Sequence, residues 1–203
     1  DREIFTSEEA AALFNLSQVH KAPAVFDTEK LLWMNGQYLA RMTPDEIYPH
    51  LLPFLPEPRP VFELLALIEL YQKRARTLRE MAEQMSFYFV SDDGVEYDPE
   101  AAKKHLKGDG LEESLREMRD VLASTEPFDV LTAEQAVRAI AERRGIGAGK
   151  LIHPLRLALT GRGSSPPVFD VAVVLGKERT LRRLDQLIGR VGESVPADLS
   201  STS

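Results

Sequence analysis

Helix-start signals recur along the whole chain, whereas strand-like alternation is confined to one short run; this contrast constrains the fold more than any other feature of the sequence. Thr6 or Ser7 can cap a helix whose first turn carries Glu8 and Glu9, where carboxylates meet the positive end of the macrodipole. Asp27 stands before Thr28-Glu29-Lys30 in the same way, with an Asn35-Gly36 pair expected near that helix's end. Thr43-Pro44-Asp45-Glu46 and Asp98-Pro99-Glu100 each give a cap, a first-turn proline and an acidic first turn. Thr132 and Gln135, three apart, have capping-box spacing for a helix reaching Arg144. Leu111, Leu115, Met118 and Leu122 mark one face of a further amphipathic helix. The exception is Phe87-Tyr88-Phe89-Val90, where helix and strand cannot be separated; with Asp92-Asp93-Gly94 it can also form half of a small hairpin ending at Tyr97.

Breaks in the helical signal divide the chain. Pro53, Pro56, Pro58 and Pro60 make a proline-dense connector, each fixing φ and removing a backbone donor. Beyond it, the helix from Val61 is expected to continue through Lys73-Arg74-Ala75-Arg76 towards Met81. Three closing helices are expected over 150–160, from Pro166 or Pro167 to Leu175, and over 178–190. The polar tail over 191–203 has too few apolar residues to offset the cost of ordering and is expected to be disordered.

Composition excludes several chemistries. The 203 residues include no cysteine, so disulfides, thiolate metal sites and thiol nucleophiles are ruled out together. His20, His50, His105 and His153 are isolated in sequence and show no metal-ligand spacing, so no metal site is expected. Gly145-Ile146-Gly147-Ala148-Gly149-Lys150 fails as a phosphate loop: Arg144 stands where the first glycine belongs, and Leu151 replaces the magnesium-binding hydroxyl. There is no GxSxG elbow, and no catalytic residue is assigned. The N-terminus carries neither an initiator Met nor a recognisable export signal, and no run is long and apolar enough for a membrane span. A soluble cytosolic chain is expected, as a fragment or a processed product.

The net charge of −7 argues against a nucleic-acid partner until its distribution is considered. Between Arg138 and Arg190 eleven basic residues face four acids, a local balance of +7 that leaves −14 for the rest of the chain. Such asymmetry suits one polyanion-facing end on an acidic body, or a solvated helical surface.

A longer match decides between these. The stretch Val19-His20-Lys21-Ala22-Pro23-Ala24-Val25-Phe26-Asp27, with Lys30-Leu31 and Trp33-Met34-Asn35 after it, resembles the segment following the KMSKS loop in bacterial-type glutamyl-tRNA synthetases. Pro154-Leu155-Arg156-Leu157-Ala158-Leu159-Thr160-Gly161, Ser165-Pro166 and Leu175-Gly176-Lys177-Glu178-Arg179 are similar to later elements of the same family, in the same order. The resemblance implies an all-α fold: the end of a stem-contact domain over 1–38, then a helical cage of two anticodon-binding subdomains over 39–98 and 99–190. It implies recognition of the anticodon arm of tRNA(Glu) by a monomer, within a glutamate–tRNA ligase that uses ATP and Mg2+.

The same likeness implies that Arg156 contacts the first anticodon base and that Ser165, Pro166 and Val168 border the same bases. Arg74 falls on the helix position that senses the third base, where arginine resembles enzymes discriminating glutamate from glutamine tRNAs. Arg76, two residues on, competes for that assignment. Trp33 is expected in the core, as large aromatics on amphipathic helices usually are. The HIGH and KMSKS signatures of the catalytic fold are absent, so this chain alone is expected to be non-catalytic and to hold no cofactor. The competing reading from another class is a helical protein-interaction scaffold without RNA binding.

Overall fold

The computed structural model describes residues 2–19, 25–56 and 61–193, and among them every regular element is helical. The eleven α-helices are α1 (Ser7–Leu13), α2 (Thr28–Arg41), α3 (Pro44–Leu51), α4 (Val61–Tyr71), α5 (Leu78–Gln84), α6 (Pro99–His105), α7 (Leu111–Ser124), α8 (Val130–Arg143), α9 (Gly149–Thr160), α10 (Val168–Leu175) and α11 (Lys177–Glu193). They form two compact units that divide between Gln84 and Met85. Helix α2 continues past residue 38, and residues 85–98 belong to the second unit.

Local chemistry explains several helix starts. Thr6 accepts a hydrogen bond from Glu9 N while Glu9 reaches back to Thr6 N, and Thr43 and Glu46 repeat this arrangement. Asp27 and Asp98 cap α2 and α6. For α8 the cap is Asp129 rather than Thr132: Asp129 Oδ1 accepts from Thr132 N at 2.8 Å, which puts Thr132 inside the first turn. The Asn35-Gly36 pair lies mid-helix. Asn35 Nδ2 donates to the Arg76 carbonyl, and a Cβ on Gly36 would stand 3.5 Å from Arg76 Cα, so the pair serves a contact and not a helix end.

In the first unit α3 packs on α4 and α5 around Ile47, Leu51, Leu64, Leu67, Ile68 and Met81, all fully buried. Helix α4 stops at Tyr71 instead of continuing to Met81, and a turn carries Lys73 and Arg74. Trp33 is 43% exposed and not a core residue. The buried side of α2 is marked by Leu39, six residues on and so about 120° around the axis from Trp33.

The second unit lays α7 along α11 and against α8, with α9 meeting α6, α8, α10 and α11. The buried stripe of α11 reads Thr180, Arg183, Leu184, Leu187, Ile188, a helical period with an arginine inside it. Arg183 has no exposed side-chain surface. Its guanidinium donates to Asp92 Oδ1 (2.9 Å), to the carbonyls of Phe87 (2.9 Å) and Val90 (3.2 Å), and to that of Leu159 at the end of α9. Arg179 donates to the same Asp92 oxygen at 3.0 Å and to the Tyr88 and Val90 carbonyls, while Arg182 takes Asp92 Oδ2 at 2.8 Å. Residues 86–90 therefore form a 3₁₀ turn and a bend, not a hairpin strand, because their carbonyls are taken by arginines from α11.

The charge of the basic stretch is thus largely met within the second unit. Of its eleven cations at least seven pair with carboxylates: Arg138 with Glu134, Arg143 and Arg144 with Glu117, Lys177 with Glu126, and Arg179, Arg182 and Arg183 with Asp92. Gly161 closes α9 with φ +71°, and its carbonyl accepts from Asp98 N at 2.7 Å. The expected tail lies outside the described residues except 191–193, which extend α11.

Asp92→Ala leaves Arg183 buried without its anion and lowers unfolding free energy by about 3–5 kcal/mol in denaturant titration. Burial opposes ionisation of Asp92, but the hydrogen bonds from Arg182, Arg183 and Arg179 outweigh it, so its carboxyl titrates below the usual range. A depressed folded pKa means this stabilisation is complete above the unfolded value, about 3.9, and disappears as pH falls through the lower folded value. Asp92→Asn should therefore flatten the stability–pH curve in that acid window; an unchanged slope contradicts the assignment. Gly161→Ala combines a left-handed residue with a Cβ placed 2.1 Å from the Glu96 carbonyl oxygen. Its cost in the same assay should exceed the roughly 1–2 kcal/mol of the backbone conformation alone.

Candidate nucleic-acid interface

Arg156 projects from the third turn of α9, half-buried. Its Nε donates to Ser165 Oγ at 3.1 Å and its Nη1 lies 2.9 Å from His153 Nδ1. A guanidinium only donates, so Nδ1 must accept, and the neutral imidazole carries its proton on Nε2. Ser165 Oγ in turn donates to the Pro166 carbonyl at 2.7 Å. The guanidinium is thereby braced from its own helix, one turn back, and from the loop that leads into α10.

The other residues named with Arg156 play unequal parts. Ser165 is half-buried and touches Arg156; Pro166 is buried, and only its carbonyl enters this network. Val168, the first residue of α10, is 2% exposed, so its side chain packs into the core and can shape a site but offers little contact surface. Arg74 belongs to the first unit. It sits in the turn after α4, exposed, and not on a helix. Arg76 is committed to α2: its Nη1 pairs with Glu29 at 3.1 Å and its carbonyl accepts from Asn35. Arg76 thus serves as a tie between the turn and α2.

Histidines that are distant in sequence meet here. His105, the last residue of α6, stacks on His153 with ring centroids 4.3 Å apart and planes 17° from parallel. Burial pushes both imidazoles below the ordinary histidine pKa. The charges of Lys104, Arg156 and Lys107 add to this at His105, and His105, Arg156 and Lys104 add to it at His153. The sequence signals the His153–Arg156 contact through their spacing of three, which puts both on one helix face, but not the stack with His105. Among the described residues no helix is long and apolar enough to cross a membrane.

Residues 46–188, which include every residue of the proposed site, match the family model of the anticodon binding domain. The glutamate–tRNA ligase of Syntrophobacter fumaroxidans is 41% identical over 193 residues, covering 93% of this chain and 40% of that protein. That of Desulforudis audaxviator is 36% identical, covering 96% and 41%. A crystal structure of a glutamate tRNA ligase from Elizabethkingia meningosepticum, in complex with its amino acid, superposes with a TM-score of 0.82 at 29% identity, covering 91% of this chain and 36% of that one. The chain spans about two-fifths of the length of the curated relatives it matches. With a helical fold of this kind and a family match over most of its length, the chain belongs to the anticodon binding domain family.

Proposed function

We propose that this chain recognises the anticodon arm of tRNA(Glu) as the RNA-reading part of a glutamate–tRNA ligase. The observation that carries the reading is the braced Arg156 guanidinium, held by His153 and Ser165 within the region matched to the anticodon binding domain. A planar fork fixed in this way can hydrogen-bond a base edge or stack on a base face, which is how splayed single-stranded loops are read. Ser165 and Pro166 fix the loop beside it, and Val168 anchors the start of α10 beneath that loop. Arg74 is assigned to the third anticodon base. The family match favours RNA recognition over a protein-interaction scaffold.

Adenylate formation, with ATP, Mg2+ and glutamate, is assigned to the part of the relatives that this chain does not match, so the chain alone binds and does not charge tRNA. It acts as a monomer in the cytoplasm. Phosphate contacts supply affinity and position the loop, while the two arginines supply selectivity.

Binding of tRNA(Glu) measured at two salt concentrations tests the reading. The chain should bind more weakly at the higher salt, and Arg156→Ala should cost about 1–3 kcal/mol, the range of a good base contact. Equal binding to unrelated RNA, indifferent to Arg156, would sink it in favour of the scaffold. Arg74→Gln should narrow the affinity gap between tRNA(Glu) and tRNA(Gln) while leaving the salt dependence nearly unchanged; an unaltered gap retires Arg74 as a reader of the third base.

A further inference from the structure

Beside the Arg156 network lies a cavity of about 340 Å³ between α6, the turn after it, the start of α7 and the first turn of α9. Its polar lining is lopsided in charge. From α6 come Lys104 and His105, from the turn Lys107 and Asp109, and from α9 Lys150 and His153. Asp109 is the one acid in that lining, set against three lysines and two imidazoles. Helix α7 contributes Leu111 and Ser114, whose hydroxyl is spent on the Gly110 carbonyl at 2.8 Å, and its nearby Glu112 is held by Arg116. Helix α9 starts here without a side-chain cap, and its first residue, Gly149, presents bare backbone to the cavity.

We propose that this cavity is a phosphate-binding subsite, in which Lys104, Lys107 and Lys150 ring an oxyanion that is also hydrogen-bonded by the stacked His105–His153 pair. The proposal rests on the RNA-binding reading for its natural ligand, a backbone phosphate next to the base met by Arg156; free phosphate has the same chemistry. The geometry assigns the two imidazoles different parts. His153 keeps Nδ1 for Arg156, so its Nε2 proton faces the first turn of α9, where a Cβ on Gly149 would stand 3.7 Å away. Protonating His153 would require it to release Arg156. His105 has no such commitment and is the ring that gains a proton when an anion arrives. Burial and the surrounding cations disfavour the charged form of both rings, an effect that an arriving anion opposes.

Histidine NMR titrations of the whole chain test this, with inorganic phosphate in one arm and an anticodon stem-loop RNA in the other. Phosphate should raise the His105 pKa, by more than that of His153, and Lys104→Gln/Lys150→Gln should abolish the rise. If RNA also raises it, the backbone is the source. The double variant should then reduce the slope of log affinity against log salt by about 0.7 for each phosphate no longer neutralised. RNA that binds without moving His105, while inorganic phosphate does move it, assigns the cavity to free phosphate. If neither ligand moves His105, the proposal is overturned, whether or not the RNA binds. Failure of the wild-type chain to bind RNA counts against the function proposed above, and the inorganic-phosphate arm still judges the cavity.

Discussion

The second unit depends on one buried cation. Arg183 occupies a position in the apolar stripe of α11 where an aliphatic residue would be ordinary, and its guanidinium finds acceptors in three places: the carboxylate of Asp92, the carbonyls of residues 86–90, and the end of α9. Taking a charge out of water is tolerable only when its hydrogen-bonding capacity is filled and an opposite charge lies alongside. Meeting those conditions fixes the path of a segment that has almost no regular structure of its own. It also places the Gly161 turn, because residues 96–98 then run against the end of α9. The loop carrying Ser165 begins just beyond that turn, so the bracing of Arg156 is downstream of the same arrangement.

Much of this was legible in the sequence, for identifiable reasons. Caps and first-turn prolines act locally, so Thr6, Asp27, Thr43 and Asp98 announced their helices correctly. Misreadings arose where a distant partner decided the outcome. The 87–90 run has strand-forming residues, but arginines more than eighty positions away took its carbonyls. Thr132 looked like a cap until Asp129, three residues earlier, supplied a better one. Net charge counted Arg179, Arg182 and Arg183 as free cations when all three are bonded to Asp92 and Arg183 is buried. The one clue available was the register of Arg183 within a buried stripe, which charge counting ignores.

At the site, the sequence named Arg156 and Ser165 and the fold brings them into contact, but it did not name the histidines that connect Arg156 to the neighbouring cavity. Their contact links the end of α6 to α9 across a long stretch of chain, and nothing in local spacing encodes it. The Arg156 guanidinium is held by the neutral side chains of His153 and Ser165, whereas Arg143, Arg144, Lys177 and Arg179 are paired with carboxylates. Selectivity for an anion then resides in few groups, which suits reading a single loop better than coating a long polyanion.

The arginine-held segment at the start of the second unit has a kinetic consequence. Amides at Tyr88, Phe89 and Asp98 are bonded within a stretch that is mostly turn and bend, the kind of structure that ordinarily opens by local fluctuation. Here the carbonyl side of the segment cannot lift away unless Arg183 is extracted from the core, and that requires α11 to leave α7 and α9. Opening the loop is then coupled to disturbing α11. Its amides would exchange with solvent as slowly as those of the central helices, so that an irregular stretch of chain keeps time with the core.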